Sequence, residues 1–488
     1  MLQKIILLWW FFSLGFGVES RELKFPKGFK LGVATASYQI EGGWNADGKG
    51  TSVWDTLTHD HPELIADHQT GDIACDSYHL WKEDIANLKN LKVDHYRFSL
   101  SWPRILPDGF SNVINPEGVK YYNNLIDGLI ANKIEPMVTL FHWDLPQNLQ
   151  NLGGWTNPII ADYFADFARV AYKIFGDRVK YWITINEPAS ICLGVYEYDD
   201  GAPAFVKSPG IGSYLCGKTI LLAHAKSFRL YDTEFRAAQK GKVGITIDSI
   251  WGEPKTNQSQ DIEAAEREMQ FGLGWWAHPI FAPQGDYPKI MKTIIAQNSK
   301  SENFTKSRLP LLTPDEVKLI QGTFDFFGLN HYHTGLISNK KFPVDTSPSY
   351  IKDKGTEVSA NPDWKPSPKI VPWGFRKLLN WVKKEYNNPL VIVTENGYGD
   401  EGGVDDKDRV LFLKVFMEAL LLAVLDDGCN VSGYTVWSIM DNMEWRSGYT
   451  VKFGLYDVNF TDPRRGRSPK ISAQFYQNVV KTRTLPEK

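Results

Sequence analysis

Two glutamates stand at the ends of apolar, β-branched runs, a pattern typical of buried parallel strands that end in a pocket. Glu187 follows the run at residues 181–186, and Glu395 ends the run at residues 390–395. Two carboxyl groups can cleave a glycosidic bond, because one protonates the leaving oxygen while the other meets the cationic carbon. A lone glutamate at a strand end is more often a salt-bridge partner. Two of them, each beside an asparagine, favour glycoside chemistry.

This chemistry places different demands on the two carboxyl groups. The acid must hold its proton near neutral pH, so burial or a neighbouring negative charge should raise its pKa, whereas the nucleophile must stay ionised. Net retention needs carboxyl groups about 5 Å apart, and inversion needs about 6.5–9.5 Å because a water must fit between them.

Eight short apolar runs alternate with amphipathic helical segments along the chain. The runs mostly lack polar alternation, which indicates strands buried on both faces. Segments such as residues 220–231 and 410–425 have helical spacing. The order predicts an α/β fold, a single (β/α)8 TIM barrel with elaborated βα loops. An open doubly wound sheet is the alternative, weakened because no glycine-rich phosphate motif follows the first run. The runs are residues 29–36, 93–100, 136–142, 181–186, 243–248, 324–330, 390–395 and 431–438.

The strand ends supply the candidate site, because a barrel carries its chemistry where strands end and βα loops begin. Strands four and seven are not adjacent in such a barrel, so their glutamates would face each other across its mouth. Arg97 and Tyr332 could donate hydrogen bonds to Glu395. Amides, an imidazole, carboxylates and indoles would converge there, which suits a polyhydroxylated ligand. The strand ends carry Gln39, Glu41, Arg97, His142, Trp143, Asn186, Asn330, Tyr332 and Trp437, and the loop after the last strand carries Glu444 and Trp445.

The first 20 residues predict a secretory signal peptide. Lys4 precedes an apolar run at residues 5–16, and small or polar residues follow. A membrane anchor is the alternative, but the run is shorter than the roughly 20 residues of a spanning helix. We therefore expect an exported protein whose residues 21–488 form one barrel domain. Net charge is −3 with both signs mixed, which argues against nucleic acid or an anionic membrane surface as partner.

The four cysteines form no compact disulfide framework and no metal motif. We expect buried thiols at most positions and leave open one bridge, Cys192 to Cys216; no metal site is predicted. Export would allow glycans at the sequons of Asn257 and Asn303, which lie in polar segments. Residues 298–312 and 340–368 are polar and are predicted to be loop insertions.

An ordered set of motifs from about Phe25 to the C-terminus resembles glycoside hydrolase family 1, in particular its animal, insect-like β-glucosidases and myrosinase-type enzymes. The resemblance implies a retaining β-glucosidase that acts by double displacement through a covalent glycosyl-enzyme, without a cofactor. The motifs are residues 29–43, Tyr96 to Ser99, Phe141 to Pro146, Asn186 to Pro188, Asn330 to Tyr332, Thr394 to Gly397, and Trp437 to Trp445.

The resemblance also implies roles for single residues. Glu187 would be the general acid/base and Glu395 the nucleophile, held in place by Arg97 and Tyr332. Asn186 would bind the sugar 2-hydroxyl. The other hydroxyls would be bound by Gln39, His142, Glu444 and Trp445, with Trp437 as the stacking platform. Taken alone, His142 could be a packed core residue as readily as a ligand-binding one. The sequence favours a position in the core for Trp143.

The sequence does not decide the chemical class of the leaving group, because Arg446 directly follows Trp445. With Ser190 and Gly194 it would border the leaving-group pocket, where a guanidinium favours sulfate or carboxylate. A thioglucosidase acting on glucosinolates is therefore an alternative, as is Arg446 pointing into water. Neutral residues at Leu193 and Gly335 count against the thioglucosidase. A barrel that only binds sugar or protein is a remote alternative, since both glutamates are present, and a homodimer is compatible with the sequence.

Overall fold

The computed structural model describes residues 22–343 and 345–486 and is built around eight short strands. Their residues are almost all buried, because the strands are covered on both faces. The predicted signal peptide lies outside the described residues. The strands are β1 (Lys30–Ala34), β2 (His95–Ser99), β3 (Glu135–Phe141), β4 (Tyr181–Asn186), β5 (Lys242–Asp248), β6 (Phe326–Asn330), β7 (Val391–Asn396) and β8 (Val431–Trp437).

These strands form a closed parallel barrel, which confirms the predicted TIM barrel and excludes the open sheet. Each strand pairs with its neighbours in chain order, and β8 pairs with β1 to close the ring. The register places Glu395 opposite Asn330, and Asn330 opposite Asp248. The carboxyl ends of β5, β6 and β7 therefore present polar side chains at one level of the barrel mouth.

Long amphipathic helices follow the strands and cover the barrel. In Ile160–Phe175 the buried side chains recur every three or four residues, among them Phe164, Phe167 and Ala171, and this stripe faces the strands. The predicted helical segments at 220–231 and 410–425 lie largely within longer helices. The long helices are Ser77–Leu91, Pro116–Ala131, Ile160–Phe175, Gly212–Leu230, Ser259–Met269, Lys289–Ser301, Pro372–Glu385, Lys407–Leu425 and Ile471–Thr482.

Short elements build the loops around the barrel. A three-stranded sheet outside the barrel is formed by Trp251–Pro254, Thr334–Asn339 and Thr356–Ser359. Tyr456–Val458 pairs with Arg467–Pro469. The short helices and turns are Ser37–Ile40, Ala46–Gly48, Val53–Asp60, Pro62–Leu64, Trp102–Ile105, Gln147–Asn151, Gly154–Thr156, Pro188–Leu193, Gly194–Tyr198, Tyr231–Phe235, Arg236–Gln239, Gln270–Gly274, Trp275–Phe281, Pro314–Ile320, Tyr350–Lys354 and Trp445–Ser447.

Residues 298–312 and 340–368 lie between strands of the barrel, as predicted for loop insertions, but they are not irregular throughout. The first segment begins inside a helix, and the second contains a helix and a strand. Their polar composition does not mean that they are solvated throughout, because several of the charges are buried in ion pairs. Arg308 lies 2.6 Å from Glu302 and 2.7 Å from Asp353, and its side chain is 1% exposed. This buried ion-pair cluster ties the two segments together.

The optional disulfide is present, joining Cys192 to Cys216. Cys216 lies within the helix Gly212–Leu230, and Cys192 lies within the short helix Pro188–Leu193 that follows β4. The bridge therefore fastens the loop after Glu187 to the long helix of the same βα unit. Cys75 and Cys429 are buried free thiols, as expected. No helix among residues 22–343 and 345–486 is long and apolar enough to span a bilayer.

Candidate active site

Glu395, near the end of β7, is held by one hydrogen-bond donor on each carboxylate oxygen. Arg97 Nη1 donates to Oε1 at 2.6 Å, and the Tyr332 hydroxyl donates to Oε2 at 2.7 Å. The carboxylate is only 4% exposed. Charge-assisted hydrogen bonds of this kind are short and strong, and they fix the group's orientation. The structure thus brings together Glu395 with both predicted positioning residues.

Arg97 is itself held rigidly by the barrel wall. Its Nη1 also donates to the Thr394 carbonyl, its Nε donates to Thr139, and its Nη2 donates to Asn186 Oδ1 at 2.7 Å. The side chain is fully buried. A guanidinium has a fixed planar fork of donors, so these bonds set its position relative to both candidate carboxyl groups.

Glu187 follows β4 at the point where the chain turns into the helix Pro188–Leu193. Its backbone is in the left-handed region, with φ of 51°, which turns the side chain out of the strand direction. Asn330 Nδ2 donates to Oε1 at 2.7 Å, and the Ser190 hydroxyl donates to Oε2 at 2.9 Å. A non-glycine residue held at positive φ is costly and clusters at functional sites.

The surroundings of Glu187 favour its protonated form. Burial raises the pKa of Glu187 well above its ordinary value, and the negative charges of Asp248 and Glu395 raise it further. The hydrogen bonds from Asn330 and Ser190 oppose this shift in part. A proton held at neutral pH is what a general acid needs.

A continuous hydrogen-bond network joins the two carboxyl groups across the mouth. Arg97 donates to Glu395 from Nη1 and to Asn186 from Nη2. Asn330 Nδ2 donates to both Asn186 Oδ1 and Glu187 Oε1. Residues from β2, β4, β6 and β7 therefore fix the glutamates relative to each other, as the barrel prediction required.

The predicted hydroxyl-binding residues lie together beside this network. Gln39, fully buried in the short helix after β1, donates from Nε2 to Met443 O at 2.8 Å and to Glu444 Oε2 at 3.3 Å. Asn186 Nδ2 donates to His142 Nε2 at 3.1 Å. Gln39 Oε1 and His142 Nδ1 are buried without a protein partner. An acceptor and a donor thus remain for a bound polar ligand.

Charge and burial also shift the pKa values of His142 and Glu444. Burial and the positive charge of Arg97 hold the pKa of His142 well below its ordinary value, so the imidazole is neutral. Burial, followed by the charge of Glu395, raises the pKa of Glu444 to about 8, although Trp437 and Gln39 donate hydrogen bonds to it. The pocket can therefore exchange hydrogen bonds with hydroxyl groups without adding charge.

Four rings form one aromatic wall of the pocket. His142 stacks on Trp437 at 5.7 Å and on Trp445 at 5.9 Å, with interplanar angles of 21° and 18°. Trp143 lies 4.5 Å from Trp445. Trp143 is half-buried and packs against the core, as favoured for it, and it also lines the cavity. Such rings offer flat apolar faces next to polar groups. A sugar ring likewise has apolar C–H faces and polar hydroxyl groups, so it could contact both.

A cavity of about 510 Å³ opens beyond Glu444 and Trp445. Ser190 and Gly194, predicted to border a leaving-group pocket, both line it. Arg446 lines it too, so the hypothesis that its side chain simply points into water is not the arrangement seen. Its Nη2 donates to the Gly201 carbonyl at 2.9 Å, while its Nε is buried without a partner.

Asn330 and Asp248 also belong to the site, whereas Glu41 lies outside it. Asn330 was noted only as a strand end, yet it donates directly to Glu187. Asp248 ends β5 and lines the cavity, and the same survey of strand ends would have found it. Glu41 is instead a structural ion-pair partner, because Arg104 Nε donates to it at 2.8 Å. Within the described residues, no group of three or more His, Cys, Asp or Glu side chains could hold a metal ion.

Comparisons with known proteins agree with this geometry. The model of glycosyl hydrolase family 1 matches residues 21–485. Myrosinase 1 of Brevicoryne brassicae is 50% identical over 467 residues, covering 94% of this chain and 99% of the relative. A solved aphid myrosinase superposes with a TM-score of 0.90 at 49% identity, covering 95% of this chain and 100% of its own. A rice β-glucosidase mutant, solved in a covalent complex with glucose, has a TM-score of 0.88 at 38% identity and covers 93% of this chain and 98% of its own.

Proposed function

Because the chain belongs to glycosyl hydrolase family 1 and is a glycosidase, we propose that it hydrolyses terminal β-D-glucosides with retention of anomeric configuration. The observation that carries this proposal is the asymmetric pair of carboxyl groups. Glu395 accepts hydrogen bonds from a guanidinium and a phenol, whereas Glu187 is buried beside other negative charges. This difference matches the nucleophile and the acid of a double displacement.

In the first step, Glu395 attacks the anomeric carbon and forms an ester bond to it. Glu187 transfers its proton to the glycosidic oxygen as the bond from carbon to oxygen breaks, and the leaving group departs as an alcohol. Arg97 and Tyr332 keep Glu395 oriented for this attack. Asn186 lies between Arg97 and His142, where it can bind the sugar 2-hydroxyl.

In the second step, Glu187 is ionised and acts as a base. It takes a proton from a water molecule, whose oxygen attacks the anomeric carbon and breaks the ester to Glu395. Glucose leaves with its original configuration, and Glu187 is again protonated. The donors to Glu187 are the protein residues Asn330 and Ser190, which do not depart with the first product. They therefore remain beside Glu187 in both of its protonation states.

The sugar itself would lie against the aromatic wall. We propose Trp437 as the stacking platform. Its contacts with His142 and Glu444, and those of these two with Trp445 and Gln39, support the hydroxyl-binding role proposed for Gln39, His142, Glu444 and Trp445. The unpartnered Gln39 Oε1 and His142 Nδ1 support this placement, since sugar hydroxyls can both donate and accept. We also propose galactosides or fucosides as weaker substrates.

The pH dependence of the reaction should show an alkaline limb set by Glu187. Its acid form is needed for proton donation, and its pKa is raised in the folded enzyme. For an alkyl β-glucoside, kcat/KM should therefore stay high well above the ordinary glutamate pKa of about 4.3 and fall as pH rises through the raised value. A profile measured on methyl β-glucoside checks this. A fall that already occurs at the ordinary glutamate pKa would contradict it.

A thioglucosidase is the second candidate, favoured by Arg446 and by the similarity to myrosinases. The Arg446 guanidinium lines the cavity with a buried, unpartnered Nε, where it could pair with the sulfate of a glucosinolate. A remote third candidate, a barrel that only binds sugar, is set aside because the family is one of glycosidases and both carboxyl groups are present.

A panel of neutral aryl glucosides and one glucosinolate, assayed with wild type, Arg446→Ala and Arg446→Lys, tests both candidates. If the protein is a thioglucosidase, Arg446→Ala should lower kcat/KM for the glucosinolate by roughly tenfold or more, as for a lost charged hydrogen bond, and spare the neutral substrates. Arg446→Lys should retain part of the activity. Equal losses on both substrate types, or no loss, would exclude an anion-binding role and leave the O-glucosidase.

We also propose that the enzyme is secreted and carries N-linked glycans. Asn257 and Asn303 are exposed and lie outside regular helices and strands, and the Cys192–Cys216 bridge suits an oxidising compartment. Protein purified from the medium of expressing cells should start near residue 20 and lose mass on treatment with a peptide N-glycanase. Retention in the cell with an intact N-terminus would contradict this proposal.

A further inference from the structure

Thr394, directly before Glu395 in β7, carries a buried hydroxyl group that belongs to a chain of hydrogen bonds. The hydroxyl donates to Asn330 Oδ1 at 2.7 Å and accepts from the Thr246 hydroxyl at 3.1 Å. These three side chains are fully buried. Asn330 in turn donates from Nδ2 to Glu187 Oε1 at 2.7 Å. The chain therefore leads from β5 through β7 and β6 to the proposed acid at the end of β4.

The direction of these hydrogen bonds is fixed by Arg97. A guanidinium has only donors, so the atom of Asn186 that faces Arg97 Nη2 at 2.7 Å is the amide oxygen. That oxygen also accepts from Asn330 Nδ2 at 3.1 Å, so the Asn330 amide oxygen points the other way, toward Thr394. An Asn330 amide turned over would bring two amide oxygens together at Asn186. The Thr394 hydroxyl supplies the donor that the correct orientation needs.

The amide of Asn330 decides which oxygen of Glu187 carries the acid proton. Oε1 faces the Asn330 nitrogen, which can donate but cannot accept, so a proton on Oε1 would have no acceptor there. Oε2 faces the Ser190 hydroxyl at 2.9 Å, and a hydroxyl can both donate and accept. The proton of Glu187 is therefore favoured on Oε2.

We propose that Thr394 is a positioning residue, which holds the Asn330 amide so that its N–H stays on Glu187 Oε1 and the acid proton stays on Oε2. The inference rests on the proposed β-glucosidase function and names the atom that delivers the proton. In the first step, Oε2 gives its proton to the glycosidic oxygen as that oxygen leaves the anomeric carbon. In the second step, Oε2 takes a proton from the attacking water, while the Asn330 N–H stabilises the ionised carboxylate through Oε1.

The surroundings of Glu187 give the sign of the expected pH effect. Burial raises the pKa of Glu187, the charges of nearby carboxylates raise it further, and the hydrogen bond from Asn330 lowers it. Loss of the aimed N–H should therefore move this pKa further upward. Arg97 reaches Glu187 only through Asn186 and Asn330. The titratable groups of the neighbouring strands that face Glu187 are Asp248 after β4's neighbour β5, Tyr332 after β6 and Glu395 in β7.

The test compares Thr394→Val, which keeps the shape of the side chain without its hydroxyl, with Thr394→Ser, which keeps the hydroxyl. Thr435→Val is the matched control, because Thr435 is also fully buried in a barrel strand but its hydroxyl contacts His95 instead of this chain. For each protein we would measure kcat/KM against pH on methyl β-glucoside and on a dinitrophenyl glucoside, together with the Tm.

Thr394→Val should move the alkaline limb for methyl β-glucoside upward by about 0.5–1 pH unit and lower its plateau by about three- to tenfold. The first effect follows from the weaker donor to the ionised carboxylate, and the second from a proton no longer confined to Oε2. The dinitrophenyl glucoside leaves without protonation, so its kcat/KM should stay near that of wild type. Thr394→Ser and Thr435→Val should keep the wild-type pH profile.

An alkaline limb that stays in place in Thr394→Val, or equal losses on the two glucosides, would overturn the inference. An equal shift in Thr394→Ser would overturn it too, because the hydroxyl would then not be the cause. Should Thr394→Val fail to fold, the same shift is expected of Thr394→Ala, which removes the hydroxyl without placing a methyl group beside Asn330. Failure of wild type to hydrolyse either glucoside would instead overturn the proposed function.

Discussion

Replacing Glu395 by glutamine should lower kcat on any β-glucoside by roughly 10⁴-fold or more, as for the loss of a catalytic nucleophile. The amide cannot form the ester to the anomeric carbon, so the first step has no nucleophile. The measurement is the steady-state rate on an activated aryl glucoside, for which proton donation is not needed. Residual activity above about a tenth of wild type would contradict the role of Glu395.

This variant needs a control for folding. Arg97 is fully buried and would lose its counter-charge, and breaking a buried ion pair costs about 3–5 kcal/mol. Glutamine keeps one oxygen that accepts from Arg97, and its amide NH2 can donate to the Tyr332 hydroxyl oxygen. We therefore expect the fold to persist with a lower Tm, which circular dichroism can follow. Glu401→Gln, an exposed glutamate in the loop after the same strand, should keep wild-type activity.

Replacing Glu187 by glutamine should have an effect that depends on the leaving group. The glutamine cannot donate a proton, so kcat/KM for methyl β-glucoside should fall by roughly 10²–10⁴-fold, the usual contribution of general acid catalysis. A dinitrophenyl glucoside leaves without protonation, so its kcat/KM should stay close to that of wild type. Its kcat should fall, because the second step then lacks a base.

Azide provides an independent check on this variant. Azide attacks the glycosyl-enzyme without needing a base, so it should raise kcat on the dinitrophenyl glucoside for Glu187→Gln and yield a β-glucosyl azide. The alkaline limb expected for wild type should also be absent. Equal losses of kcat/KM on the two glucosides, with no response to azide, would show that Glu187 is not the acid/base.

The sequence predicted the barrel well because its strands carry two signals at once. A strand buried on both faces has an apolar sequence. The residue at its end is polar because it faces the barrel mouth, where the site lies. The run before Glu187 shows both, and its predicted bounds coincide with β4 (Tyr181–Asn186). The pairing of Glu395 with Arg97 and Tyr332 followed from their positions at strand ends, and the structure brings them together.

Other features depended on contacts that no local pattern contains. The polar segments around Arg308 were predicted to be loop insertions, and their local sequence does not show that their charges pair with one another inside the protein. The pairing of Cys192 with Cys216 requires a helix to return beside the end of β4, which composition does not specify. Ser190 and Asn330 reach Glu187 only because the chain turns sharply at positive φ. Asp248 differs, since its strand was predicted and only its end was overlooked.

Glu395 should form a covalent bond to the sugar, and trapping this intermediate tests the double displacement most directly. A glucosyl fluoride in which fluorine replaces the 2-hydroxyl slows the second step more than the first, so the glycosyl-enzyme should accumulate. Proteolysis and mass spectrometry should then find one fluoroglucosyl group per chain, on the peptide that contains Thr394, Glu395 and Asn396. A label on any other residue, or an unlabelled enzyme that releases the product with inverted configuration, would contradict the account.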